Sequence, residues 1–353
     1  MRTEPAAKPV RLHTPADIVD AVPHLVGFEP ANSLVFISLR GARSRLGLVA
    51  RFDLPEPKHA EQCVEFMAGH LEGDGANRAL FVFYPPADGV ANESVRAVFD
   101  VLSKRFPTAT IELADAICVY EDRWWSLLCK DPDCCPSEGT AVDRVSTSAL
   151  AAEMAVQGHV TLGSREELEQ TLDPVGGLAA AAMTYALMRA TEDLARRAVA
   201  GGLDEVEDES LALYRAAVEA RVRIEGAVPA LTTDDAAKLI VALADVHVRD
   251  EILTWVDDDW GRATQALFAE LVTRAMPGFE APPLTMLAWH SYVNGNGALA
   301  GMAIDRALDA DPDYSLALLI DHALTAGLNP SRLRPMINDL RETMKMIWEE
   351  TDD

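Results

Sequence analysis

Apolar and polar positions in the first third of the chain switch between two spacings, and each switch marks an element. Ile18, Val19, Val22 and Leu25 recur at helical spacing behind Thr14-Pro15, an N-cap residue followed by proline at the first helical position. Gly27-Phe-Glu-Pro-Ala-Asn-Ser33 is turn chemistry. Residues 34–39 are almost entirely apolar, as in a strand covered on both faces. Leu48, Ala50, Phe52 and Leu54 then alternate with Val49, Arg51 and Asp53, which predicts a strand with one wet face. The two strands would form a hairpin through the loop 40–47. Next come a helix over about 58–71, a turn at Gly73-Asp-Gly75, a buried strand over 79–84, a helix over about 90–105 and a strand over 110–120. Glu121-Asp122-Arg123 turn the chain into 124–128.

Beyond about residue 146 the strand spacing stops. Ser164-Arg-Glu-Glu167 is a capping box, and Thr232-Thr-Asp-Asp235 offers an aspartate variant of one. Asp173-Pro174 leads into a long Ala/Leu/Met-rich helix, and 204–210 is an acidic opening suited to a helix N-terminus. About eight to ten helices are expected. Leu284, Leu287, Ala288 and Ser291, then Ala300, Ile304, Ala307 and Pro312, follow the small/large rhythm of one degenerate tetratricopeptide-like helical hairpin, with Gly295-Asn-Gly297 as its turn. One such repeat is a packing motif, since a solenoid needs three or more. The fold class is therefore α+β in two parts. A flexible tail (1–9) precedes an N-terminal α/β sandwich with a mixed sheet (10–145), which includes a cysteine loop (129–136). An all-α domain (146–353) follows.

Composition narrows the function. The net charge of −25 repels phosphate backbones and anionic lipid, which disfavours nucleic acid and membrane surfaces as partners. Solubility is the plain reading of that charge, and a basic protein partner is the sharper one. No run approaches the roughly 18 apolar residues of a membrane span, and the first residues lack the apolar core of a secretory signal. A cytoplasmic protein is expected, in which five cysteines, an odd number, stay reduced.

Three of those cysteines crowd the run Trp124-Trp125-Ser-Leu-Leu-Cys129-Lys-Asp-Pro-Asp-Cys134-Cys135-Pro136. Cys129, Cys134 and Cys135 could ligate zinc, which prefers four thiolate or imidazole ligands in a tetrahedron. No fourth ligand stands nearby, so Cys118, His13 or His24 would have to arrive through the fold. Adjacent side chains in extended backbone also point apart, which disfavours Cys134 and Cys135 sharing an ion. The plainer reading packs small, soft side chains against Trp124 or Trp125 at a junction between the two domains. No cofactor other than zinc is suggested. Arg40, Arg43 and Arg45 lie in a stretch, 30–52, without an acidic residue, and would form a basic spot for an anion or an acidic partner. The plainer reading there is a solvated loop that blunts a sheet edge. Gly73-x-Gly75 leads into a strand, so it terminates a helix and cradles no phosphate. Gly176-Gly177 lacks the lysine and hydroxyl of a phosphate loop. His247, Arg249 and Asp250 read as capping or ion-pair residues. No nucleophile elbow, zincin helix or acidic metal loop appears.

Several segments together resemble the actinobacterial domain-of-unknown-function family 4192. They are Ala16–Leu34 with its Pro-His-Leu-Val-Gly27-Phe28-Glu-Pro30-Ala-Asn-Ser33 core, the run through Cys134-Cys135-Pro136-Ser-Glu138-Gly139, Val248-Arg249-Asp250, and Asp311-Pro312-Asp-Tyr314-Ser315-Leu-Ala317. The resemblance covers about 10 to 330 and implies a cytoplasmic protein; it supplies no catalytic residues. The expected function is a non-catalytic interaction or regulatory module with a protein partner. The alternative is an enzyme acting on a small polar metabolite between the domains, through metal or thiol. The sequence sets no oligomeric state.

Overall fold

The computed structural model describes residues 14–106, 110–142, 161–222 and 230–330, together with positions 333, 337, 339 and 341. The expected tail, His13 and the expected boundary at 145/146 lie outside the described residues. The chain divides into two compact units, Met1–Glu167 and Leu168–Asp353.

In the first unit, α1 (Pro15–Val26) begins at a reciprocal cap. Thr14 Oγ1 accepts from the Asp17 N–H at 3.2 Å, and Asp17 accepts from the Thr14 N–H at 2.9 Å. Gly27 ends it in the left-handed region, at φ 87°. The sheet is six-stranded in the order β2-β1-β3-β4-β5-β6: β1 (Ser33–Arg40), β2 (Arg45–Asp53), β3 (Arg78–Tyr84), β4 (Glu112–Tyr120), β5 (Arg123–Ser126) and β6 (Thr140–Ala141). Only β3 and β4 are parallel, and α3 (Glu93–Arg105) joins them; the other pairs are antiparallel. The expected mixed sheet with a hairpin at each end is observed.

Both faces are covered. α2 (Ala60–Asp74) and α3 bury Val64, Met67, Leu71, Val98 and Leu102 against Leu34, Phe36, Phe81 and Phe83. On the opposite face α1 lays Val19, Val22 and Val26 over Val35, Ile37, Val82 and Trp124. The apolar run of β1 is thereby explained, because successive side chains feed the two cores in turn. Two features lack a hydrophobic signal in the sequence. One is β6, only two residues long. The other is a parallel bridge between Phe28 and Leu162, which seats the Gly27–Glu29 turn.

The α2 C-terminus holds a buried acid. Asp74 accepts from the Ser38 hydroxyl at 2.6 Å and the Leu48 N–H at 3.0 Å, with Arg40 Nε at 3.6 Å. Gly47 closes over this group: a Cβ there would stand 2.3 Å from Asp74 Oδ2 and 2.7 Å from Ser38 Oγ.

The second unit is helical throughout the described residues: α4 (Arg165–Gln170, at the division), α5 (Gly177–Val199), α6 (Leu203–Val222), α7 (Thr233–Ala242), α8 (Val246–Leu253), α9 (Asp258–Arg274), α10 (Ala281–Val293), α11 (Gly297–Ala310) and α12 (Ser315–Thr325). The expected caps form, with Ser164 Oγ accepting from the Glu167 N–H at 3.1 Å and Thr232 Oγ1 from the Asp235 N–H at 3.1 Å. α10 and α11 make the expected hairpin, with Leu284, Leu287, Ala288 and Ser291 buried opposite Ala300, Ile304 and Ala307. Small residues on both helices let the backbones approach. Within α10 of that hairpin His290 is fully buried and stacks on Phe268 of α9, ring centroids 5.7 Å apart and planes within 10°.

Candidate functional site

The cysteine loop does not follow the last strand, as sequence alone suggested, but precedes one more. β6 returns to pair with β5, Trp124 opposite Thr140 and Arg123 opposite Ala141, so residues 127–139 are the loop of a sheet hairpin. Several contacts fix its two stems. Arg123 donates to the Glu138 and Gly139 carbonyls at 3.2 and 2.8 Å, and Trp125 Nε1 donates to the Ser137 carbonyl at 3.1 Å. On the entering side, Ser126 Oγ donates to Asp115 at 2.6 Å and accepts from the Cys129 N–H at 3.1 Å. Burial raises the Asp115 carboxyl above its ordinary value, against the pull of the Ser126 and Ala116 hydrogen bonds.

Within the loop the backbone turns tightly. The Asp131 carbonyl accepts from the Cys134 N–H at 3.2 Å and the Cys135 N–H at 2.8 Å, while its side chain accepts from the Asp133 N–H at 3.0 Å. That turn overrides the divergence expected of neighbouring residues in extended backbone. The sulfurs of Cys129, Cys134 and Cys135 all lie within 4.8 Å of one another, and Cys134 and Cys135 are 4.0 Å apart. A tetrahedral zinc with bonds of about 2.3 Å would separate its sulfurs by roughly 3.8 Å. The three are therefore spaced as ligands of one ion. The Asp131 N–H and the Cys135 thiol pull the Cys129 thiol down, whereas burial, joined by the neighbouring sulfurs, pushes Cys135 up to about 12. A bound cation would reverse the second effect, since coordination deprotonates a thiol.

Neither of the other described candidates for a fourth ligand joins them. Cys118 lies in the core between the sheet and helices α2 and α3, where burial pushes its thiol up to about 12. His24 Nδ1 is 2.6 Å from Thr161 Oγ1. Among the described residues no further His, Cys, Asp or Glu completes the cluster.

Gly139 locks the exit stem. Its φ is +77°, and a Cβ would lie 2.4 Å from Trp125 Cε2. Gly139→Ala is expected to cost about 1–3 kcal/mol and to release the Trp125 ring. A lowered melting temperature with a red-shifted tryptophan emission would bear this out, and an unchanged melting point would refute it.

The arginine spot is divided. Arg40 is tied to buried Asp74 and reaches the Leu46 carbonyl at 3.5 Å, so it belongs to the hairpin's own structure. Arg43 and Arg45 stand exposed at the hairpin tip. Asp74, Ser38, Asp115 and Ser126 are positioning residues that local sequence did not single out; their partners are 11 to 36 residues away.

Two other groupings are explained without a ligand. Glu207, Asp245 and His247 bring ligand atoms within 4.8 Å of one another. Asp245, however, caps α8 by accepting from the His247 N–H at 2.8 Å, and the positive end of a helix opposes a cation. Arg249 pairs with Asp250 at 3.1 Å, as expected. A groove of about 760 Å³ between α5, α6 and α7 is lined by Arg189, Arg197, Glu209, Asp234 and Lys238. Its arginines are engaged with its acids, Arg197 with Glu209 at 2.7 Å and Arg189 with Asp234 at 3.8 Å.

Among the described residues no helix is long and apolar enough to cross a membrane. A family model described as a domain of unknown function (DUF4192) matches residues 15–331. No curated protein and no solved structure gives a match.

Proposed function

This chain belongs to the DUF4192 family, and from that premise we propose that it is a non-catalytic regulatory or interaction module built on a thiolate metal site. The observation that carries the reading is the convergence of the Cys129, Cys134 and Cys135 sulfurs to within 4.8 Å in a loop whose two stems are anchored to the sheet. Thiolates suit zinc, which tetrahedral sulfur sites commonly hold in a reducing cytoplasm, the compartment this reading assumes. Among the described residues no histidine or carboxylate joins the sulfurs in one cluster, which supports a binding role over a hydrolytic one. The ion would stiffen the loop and fix the surface around Lys130 and Glu138 for a protein partner.

Full-length protein purified under a phosphine reductant is expected to contain about one zinc per chain by elemental analysis. Cys129→Ser combined with Cys134→Ser should abolish the metal and leave the fold intact, because both thiols are at least partly solvent-exposed. Folded, metal-free wild-type protein that takes up no added zinc would end the reading.

A further inference from the structure

The fourth coordination position of the ion has a chemistry of its own, one that rests on the thiolate-site reading. The three sulfurs sit in a surface loop with Cys134 exposed, and no fourth protein donor completes them among the described residues. A zinc ion held by three thiolates carries a net charge of −1. Sulfur donates heavily into the ion, so a water there is acidified far less than in a site of neutral imidazoles. The surroundings add to this. Asp131 and Asp133 lie in the loop against Lys130 alone, on a chain with a net charge of −25. A carboxylate or phosphate ligand would approach against that field. A thiol arrives neutral, and although its ionisation takes the centre from −1 to −2, the soft zinc–thiolate bond offsets that added charge better than a hard oxygen ligand does.

We propose that the fourth position takes a small external thiol, bound as its thiolate. In the step, a water leaves the ion, the S–H bond breaks heterolytically, a zinc–sulfur bond forms and the proton passes to solvent. Nothing is oxidised or reduced. The site then holds four sulfurs, the arrangement of a closed thiolate centre, and becomes a reporter of thiol concentration with no change in the protein's own ligands.

The test uses the full chain loaded with cobalt(II), whose sulfur-to-metal absorption counts thiolate ligands, in buffer with a phosphine reductant. It is titrated in parallel with 2-mercaptoethanol, imidazole and acetate. The expected result is a saturable rise of the thiolate band by about one third, as three sulfur ligands become four, with about one proton released per ion. Imidazole and acetate should leave the band unchanged. A spectrum indifferent to thiol, an equal response to imidazole or acetate, or collapse of the band as thiol strips the metal would each overturn the fourth-position inference while leaving the metal site standing. Failure of the chain to take up cobalt or zinc at all would overturn both.

Discussion

Replacing Asp74 with alanine is expected to remove about 2–4 kcal/mol of folding stability, mostly from two hydrogen-bond donors left without their charged acceptor. Its side chain is fully buried, whereas that of its partner Arg40 is 35% exposed. The carboxylate sits in the last residue of α2, where the negative end of the helix opposes an acid. It is held there by the Ser38 hydroxyl, the Leu48 N–H and Arg40. Alanine would orphan the Ser38 hydroxyl and the Leu48 N–H, each at a penalty of about 1–3 kcal/mol, whereas Arg40 keeps solvent and the Leu46 carbonyl. Gly47 leaves the site no slack on the β2 side, so the cavity cannot be filled by β2 moving a side chain into it. Asp74→Asn keeps the shape and one acceptor and should cost roughly half as much. Urea unfolding at pH 7, followed through the β-sheet signal, separates these outcomes. A loss below about 1 kcal/mol for alanine would mean that water replaces the carboxylate.

Acid is expected to unfold the helical unit through His290. Burial beside Phe268 pushes this imidazole down to about 3, against an ordinary value near 6.5. The folded unit rejects a proton that the unfolded chain accepts, so the stability conferred is complete above about pH 6.5 and is lost as the pH falls toward 3. One proton gives about 1.4 kcal/mol per pH unit in that window, or about 2 kcal/mol between pH 8 and pH 5. Glu207 in the same unit has its carboxyl raised by burial and by Asp245, which works in the opposite sense at lower pH. Peptide-resolved hydrogen exchange over α9 and α10 at pH 7.5 and 5.0, corrected for intrinsic rates, reads the effect. In His290→Leu the slope should fall by one proton. An unchanged slope in that variant would assign the acid sensitivity to other groups.

How much of this could be read from residue order depended on range. β1, β3, α2 and the α10–α11 hairpin were legible because each buries a face set by its own spacing, Leu34 to Ile37 in one case and Leu284, Leu287 and Ala288 in another. The arginine at position 40 was not legible as structural. Its partner lies 34 residues on, and nothing local marks Asp74 as an acid that will be buried. Strand β6 was missed because two residues, Thr140 and Ala141, carry no alternation; Arg123 and Gly139 place them. The sulfur cluster was legible as composition but not as geometry. Reading Cys134-Cys135 as extended separates the thiols, and only the two N–H groups that Asp131 gathers bring them together.

The pairing order of the sheet has a kinetic consequence. Two of its hairpins, β1–β2 and β4–β5, close over short turns, and such units form in about 1–10 μs. The centre is different: Ser33 meets Tyr84 and Arg78 meets Glu112, so the strands that build both cores must close loops of tens of residues. Helices α2 and α3 fill those loops and shorten the search. Assembly of the N-terminal unit is therefore set by the docking of two ready-made hairpins along β3, and β3, flanked by β1 and β4, is the seam on which folding speed depends.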